Sequence, residues 1–526
     1  MDKTLPYGAA YKWEWQALKP ISVVLEENRL ALESTLGNSS DVTFREFRLG
    51  MTGTRALLAY VEGIVDLTTL IEGTIKPLTV LAPRQTWTAL PFWRKSRLFA
   101  LVRDVATCNS EVTEHMTLDS VVQKILEGDT ALFLDGCNRA LTVSTKGWKD
   151  RQVQEPETEV VVRGPRDGFT ETLRTNTALI RRRIRDPNLR MDKCVLGTRT
   201  KTDVSVVYVE GLVNPSLLAE VKKRLTRIHI DGILDSGYLE ELIECNPFSL
   251  FPTVNHTERP DRVVAALLEG RVAILTDGSP FALIVPSLFS DFLTTNEDYY
   301  ERYFFASLAR PIRYLAFFTS LLLPAVYVAA TTFHQEMIPT KLLITFMRAR
   351  QGIPFPALVE AILMELTFEA LREAGVRMPR AVGQAVSVVG AVVIGEAAVR
   401  AGIVSAPMVI VVSLTAVTSF AVPSYTLSLA ARWLRFPFLL IAATLGLFGV
   451  TIATLVLLVR LCALRSFGLP YLFPYSPLSW KSMKDALVRA PQWAMGSRPR
   501  LLAQQNQTRE APNMRPRPPK VRRRPT

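Results

Sequence analysis

The sequence predicts an α/β cytoplasmic domain of two related subdomains, followed by an α-helical polytopic membrane domain. Two observations carry that reading: an internal repeat in the first three hundred residues, and a change of hydropathy near residue 311. Over the whole chain of 526 residues, 48% are hydrophobic and mean hydropathy is +0.17, high for a soluble protein. The average hides a partition. Residues 1–310 mix charged and apolar residues, whereas 311–466 holds runs such as "RYLAFFTSLLLPAVYVAATTF" and "FPFLLIAATLGLFGVTIATLVLLV". Runs near twenty residues match a hydrocarbon core of about 30 Å.

In chain order, residues 1–41 read as an N-terminal extension. It has no apolar h-region and no small-residue cleavage site, so a cytoplasmic start is expected. Residues 42–150 form the first α/β subdomain. "DSVVQKILEGDTALFLDGCNRALTV" from Asp119 overlays "DRVVAALLEGRVAILTDGSPFALIV" from Asp261, and "VEGIVD" at Val61 pairs with "VEGLVN" at Val209. Each copy reads as a strand ending in Val-Glu-Gly, a helix closed by Glu-Gly, and a hairpin whose Asp-Gly supplies a positive-φ residue. Residues 151–310 hold a linker helix over Thr170–Arg185 and the second subdomain. Arg181, Arg182, Arg183 and Arg185 spread round that helix, which suits a solvated linker facing acidic surface or lipid headgroups.

In 311–466 the expected spans are 314–333, 383–402, 404–422 and 436–464. Arg302, Arg310 and Arg313 place the first start inside. The segment 355–374 carries Glu360, Glu365, Glu369 and Glu373 with Arg372. Acids at mid-bilayer cost roughly 2.5–3.5 kcal/mol each, and counting a fifth span would send the basic tail outside, so an amphipathic helix is expected here. Its acids would face water at a pore or subunit interface. Glu360 alone falls on the apolar side, either near a wet helix start where the macrodipole favours an acid, or against a buried base, or in a hydrated pore. Gly383, Ser387, Ala391 and Gly395 recur every fourth residue, a stripe suited to close helix packing. Glu396 and Arg400 suit an i, i+4 pair. Thr415, Thr418 and Ser419 either line a pore or bond back to their own helix. Residues 467–526 read as a cytoplasmic segment and a basic disordered tail, whose arginines fit anionic lipid.

Five scattered cysteines with no CxxC pair, and four scattered histidines, give no metal site or disulfide framework. No phosphate loop, dinucleotide fingerprint or nucleophile elbow occurs. No enzyme activity, catalytic residue, cofactor or nucleic-acid partner is expected.

"TTFHQEMIP", "PFPALVEAILMELTFEALREAGVRMPR", "GQAVSVVGAVVIGEAAVRAGIVS", "SFAVPSY" and "LRSFGLPYLFPYSP", preceded by "NPFSLFPTVNHTERPDRVVAALLEGRVAILTDGSPFALIVP", resemble the A subunit of the GerA-family spore germinant receptors, over residues 42–492. The resemblance implies a spore inner-membrane location, with the N-terminal domain and C-terminal tail cytoplasmic. It implies partnership with a transporter-like nutrient-binding B subunit and a lipoprotein C subunit, and a homo-oligomer of A subunits around a nutrient-gated ion pore that triggers germination. A paralogous germination-amplifying channel subunit, or a membrane-tethered scaffold without a pore, is the alternative. Glu396 stands where the family more usually has Gln, and the arginine-rich tail is an extension.

Overall fold

The structure is a computed structural model that describes residues 19–50, 53–81, 98–104, 111–147, 155–156, 158–377, 395–503, 505–511 and 514–516. It divides into an α/β unit (1–245, 254–286 and 491–526) and a helical unit (246–253 and 287–490).

In the α/β unit, strands β1 (Val42–Arg48), β2 (Arg55–Val61), β3 (Val112–His115), β4 (Thr130–Leu134) and β5 (Ala140–Val143) form one antiparallel sheet, ordered β1-β2-β4-β5-β3. Strands β6 (Leu189–Leu196), β7 (Thr202–Val209), β8 (Asn255–Thr257), β9 (Val272–Thr276) and β10 (Ala282–Val285) form a second, ordered β6-β7-β9-β10-β8. The strand order is the same in both. The central strands are nearly all apolar because both faces are covered. Leu57, Ala59, Val61, Ala131 and Phe133 face the helices Leu25–Leu36 and Leu118–Leu126, while Ala56, Leu58, Leu132 and Leu134 belong to a separate core on the other side. In the second sheet, Val207, Val209, Ala273 and Leu275 pack with helices Leu173–Arg183 and Pro260–Leu268.

The repeat extends further than the alignable motifs. Asn28 accepts from Ser22 N at 2.8 Å and donates to Ser22 O at 2.7 Å; Asn176 does the same with Thr170, at 2.8 and 2.6 Å. Both Asp-Gly turns then close on the first helix of their own copy. Asp135 Oδ1 accepts from Leu25 N at 3.4 Å, and Asp277 Oδ1 from Leu173 N at 3.0 Å. The glycines are needed, with φ of 84° at both Gly136 and Gly278, a region costly for other L-residues.

Two sequence boundaries therefore move. Helix Leu25–Leu36 lies in the stretch set aside as an extension, yet Leu25, Leu32 and Leu36 are buried in the first core. The 170–185 segment is not a solvated linker. Its helix is the second copy's equivalent of Leu25–Leu36, and Arg181, 1% exposed, donates from Nε to Asp41 Oδ2 at 2.8 Å and from Nη2 to Asp41 Oδ1 at 2.9 Å. That fork joins the two halves of the unit, where Ser40 N also donates to Met191 O at 2.9 Å and Arg190 Nη1 donates to Leu36 O at 2.7 Å. The tail is corrected over part of its length, and its last ten residues lie outside the described residues. Ser497 and Thr508 form a β-bridge, Leu502 and Ala503 are buried, and Arg498 Nε donates to Leu268 O at 2.7 Å, so this stretch is folded against the second subdomain.

The helical unit contains the long helices Tyr303–Thr332 and Tyr425–Ala463, both long and apolar enough to cross a membrane, with the shorter apolar helix Ala406–Phe420. Helices Thr340–Arg350 and Ala357–Arg377 lie between them in sequence. Tyr425–Ala463 is not one rod. Gly446 has φ 64° and ψ −150°, and a Cβ on Gly449 would lie 2.7 Å from Ile441 Cγ2. Those residues would be about 12 Å apart on a straight helix, so the chain doubles back into arms 425–445 and 447–463, with Leu434 packing beside Leu457 in one core cluster. The expected single span 436–464 is thus two antiparallel arms, and the first is about 30 Å long. With two arms in place of one crossing, counting 355–374 as a span no longer sends the tail outside.

Candidate functional site

Pro354 and Pro356 lead into helix Ala357–Arg377, whose Ala, Leu, Glu and Met residues are strong helix formers. Its N-terminal end packs with Tyr327, Val328 and Met408, and Arg372 lies near Phe420 and Tyr425 at the far end. Successive acids along this helix meet basic or donor groups from its neighbours.

Glu360, fully buried, takes two hydrogen bonds on Oε2, from Ser405 N at 2.9 Å and Ser405 Oγ at 2.7 Å. Ser405 is the N-cap residue of Ala406–Phe420, so the carboxylate sits where the helix dipole favours negative charge. Its Oε1 lies 3.4 Å from Arg350 Nε. One turn and a half further on, Glu365, 1% exposed, accepts from Arg435 Nη1 at 2.9 Å. Arg435 Nε donates to Ser320 O at 2.6 Å, tying three helices at one level. Next, Glu369 Oε2 accepts from Arg432 Nη1 at 3.1 Å. Arg432 and Arg372 both lie over the Tyr425 ring, at 5.4 and 5.6 Å from its centroid. From Glu360 to Arg372 the seam rises about 18 Å. It is incompletely satisfied: Glu360, Glu365 and Glu369 Oε1, Arg372 Nη1, and Arg432 and Arg435 Nη2 are buried without a hydrogen-bond partner among the described residues. Such groups call for water or an ion.

The amphipathic reading of this helix is corrected by these contacts. Glu365 does not face water: it is buried and paired with the equally buried Arg435. Glu360 lies in the first turn of its helix, as one of its three readings had it, but is fully buried rather than wet, with the basic neighbour that another reading required. Glu369 is partly exposed, while Glu373 and Glu396 are exposed, in i, i+4 pairs with Arg377 and Arg400, each at 2.6 Å. Thr415, Thr418 and Ser419 donate to their own helix, to Val411 O, Leu414 O and Ala416 O. Of the small-residue stripe, Gly383, Ser387 and Ala391 lie outside the described residues; a Cβ on Gly395 would meet Val409 Cγ1 at 3.5 Å, ordinary contact.

Arg432 and Arg435 were missed, although their i, i+3 spacing at the head of an apolar run is a signal for buried partners. So was the base of Tyr303–Thr332. There Arg310, fully buried, pairs with Asp298 at 3.0 Å and Asp485 at 3.0 Å, and Arg313 pairs with Asp298 at 2.8 Å. Burial would raise the Asp298 carboxyl, but the hydrogen bonds and charges of Arg313 and Arg310 outweigh it and hold the group below the usual carboxylate range. These two arginines, counted above only as positive-inside charges, are internal ties within the helical unit.

The family model described as Bacillus/Clostridium GerA spore germination protein matches residues 31–501. Spore germination protein KA of Bacillus subtilis (strain 168) is 46% identical over 499 residues, covering 95% of this chain and 90% of that protein. The uncharacterized membrane protein YfkQ of the same organism is 45% identical, with 91% and 92% covered. Spore germination protein GerLA of Bacillus cereus is 37% identical, with 91% and 95% covered. Among solved structures, the N-terminal domain of the A subunit of the Bacillus megaterium spore germinant receptor GerK3 is 34% identical, covering 52% of this chain and 99% of that one, at a TM-score of 0.41. With a family match running from the first helix of the α/β unit to its folded C-terminal stretch, and relatives aligned over nine-tenths of their length, the chain belongs to the GerA family of spore germination proteins, as a member of the A-subunit type.

Proposed function

We propose that the protein is the A subunit of a nutrient-germinant receptor in the spore inner membrane. In this reading several copies assemble around an ion pore that opens when nutrient binds a transporter-like B subunit, with a lipoprotein C subunit completing the complex. The α/β unit and the C-terminal segment lie in the cytoplasm. The role in germination rests on the family. The observation that carries the mechanism is the seam: Glu360, Glu365 and Glu369 with Arg350, Arg435 and Arg432, held among apolar helices. Buried charges in a helical membrane domain are costly and mark pathways or moving parts.

The division of labour follows exposure. Glu373 and Glu396, both exposed, are the carboxylates available to a pore or subunit interface, where rings of acids concentrate cations, and Arg400 accompanies Glu396 there, while Glu369 is held in the seam by Arg432. Glu365 is an internal lock between helices of one subunit. Gly383, Ser387, Ala391 and Gly395 serve as the packing stripe between helices. Glu373→Gln with Glu396→Gln tests the pore part, read as potassium release from spores after nutrient addition, with subunit abundance checked by immunoblot. Slower release at normal abundance is expected. Unchanged release would remove both carboxylates from the pore.

A further inference from the structure

At the Arg372 end of the seam the charges do not balance. Of the carboxylates on this part of helix Ala357–Arg377, Glu365 is taken by Arg435, Glu373 by Arg377, and Glu369 by Arg432 through Oε2, its Oε1 being buried without a hydrogen-bond partner among the described residues. Arg372 makes no ion pair within 4 Å among the described residues and rests on aromatic faces, with its guanidinium carbon 5.4 Å from the Phe420 centroid and 5.6 Å from that of Tyr425. Arg432 lies over the same Tyr425 ring at 5.4 Å. Two guanidinium groups thus share one ring, and each keeps a buried N–H nitrogen without a hydrogen-bond partner among the described residues, Nη1 of Arg372 and Nη2 of Arg432. The Arg432 side chain is buried to 5% exposure, so bulk water does not satisfy it. Segment 378–394, which follows in sequence, contains no Asp or Glu.

The surroundings favour an anion. Tyr425 begins the arm 425–445 at its N-cap Ser424, where backbone N–H groups and the helix dipole add positive potential. Phe420 is the last residue of Ala406–Phe420, a C-terminus whose dipole opposes an anion, so the attraction comes from the two guanidinium groups and the N-terminus at Tyr425. Phe420 and Tyr425 are more than half exposed, and exposed aromatic rings at helix ends are typical of headgroup depth. Guanidinium pairs recognise oxyanions through two parallel N–H···O bonds. We propose that Arg372 and Arg432, with the Tyr425 ring between them, form a binding site for a singly charged oxyanion, and that its source is the phosphodiester of an anionic phospholipid. The lipid source rests on the membrane reading of the helical unit; the oxyanion site does not.

The test uses the full-length chain purified in detergent. Native mass spectrometry compares retention of phosphatidylglycerol with that of phosphatidylcholine, for the wild type, Arg372→Gln and Tyr425→Leu, with inorganic phosphate as competitor. Retention of phosphatidylglycerol at least tenfold above phosphatidylcholine is expected, falling to parity in Arg372→Gln and several-fold in Tyr425→Leu. Indifference to phosphate at millimolar concentration supports the lipid source. Displacement by phosphate supports the oxyanion site and assigns it to a free anion. Equal retention of the two lipids by the wild type, with no change in Arg372→Gln and no phosphate binding, overturns the proposal. Binding in detergent requires no channel, so a chain that passes this test and releases no potassium in spores keeps the site and loses the pore.

Discussion

Removing the charge of Glu365 tests the seam most directly. In the wild type, Glu365 and Arg435 are both almost fully buried and meet at 2.9 Å, and Arg435 has one further partner, Ser320 O. Glu365→Gln keeps the shape and leaves Arg435 as an uncompensated buried cation, which costs about 3–5 kcal/mol. Arg435→Met leaves the carboxylate alone and should cost a similar amount. Replacing both, as Glu365→Leu with Arg435→Met, removes the desolvation penalty together with the attraction, and such exchanges are typically neutral or stabilising by about 1–4 kcal/mol. For a unit of roughly 200 residues, about 2–4 °C of Tm accompanies each kcal/mol. Each single variant should therefore melt about 6–20 °C below the wild type, and the double variant close to it. The assay is thermal unfolding of the purified chain in detergent, followed by a near-UV tertiary signal. Single variants that melt with the wild type, or a double variant that adds the two losses, would refute the reasoning. The double variant also separates packing from function. If it is folded and abundant in spores yet releases no potassium, the charges serve opening; if release is normal, they serve the fold.

Gly446→Ala should strongly lower abundance, because φ is 64° and the new Cβ would stand 2.7 Å from His334 Cε1 and 3.1 Å from Phe333 Cβ; normal yield and melting would mean that the arms do not turn there. Arg181→Leu should cost about 3–5 kcal/mol by stranding Asp41, read as a drop in the melting transition of the α/β unit, with Arg181→Leu paired to Asp41→Leu recovering much of it. His256 gives a pH dependence. Burial would lower its pKa, but Glu240, 3.4 Å away, outweighs that and raises it. Its contribution is therefore fully present below the unfolded value of about 6.5 and lost as pH rises through the higher folded value. His256→Gln should flatten the loss of stability as pH rises above about 6.5, and a variant with the wild-type pH slope would remove this residue from the account.

The two-part architecture and the duplication were legible in the sequence for a physical reason. Burial of both faces of a central strand and Asp-Gly at a positive-φ turn are local demands, written wherever the fold recurs, so "TALFLDG" and "VAILTDG" announced matching sheets. The apolar length of Tyr303–Thr332 is local in the same sense. The partners of the acids were decided elsewhere. A helical wheel ranks Glu365, Glu369 and Arg372 by angle about one axis, and by that measure their face is polar and should be wet. Whether such a face meets water or a buried guanidinium depends on Arg432 and Arg435, more than sixty residues away, which reach it only because the chain packs several helices together. The turn at Gly446 was hidden likewise. One glycine in an unbroken apolar run costs a helix only about 1 kcal/mol, and only packing between distant residues such as Leu434 and Leu457 shows that the run folds back. Composition and spacing determined which segments are helices and strands; long-range packing determined which of their charges are neutralised within one chain and which stay available to a partner.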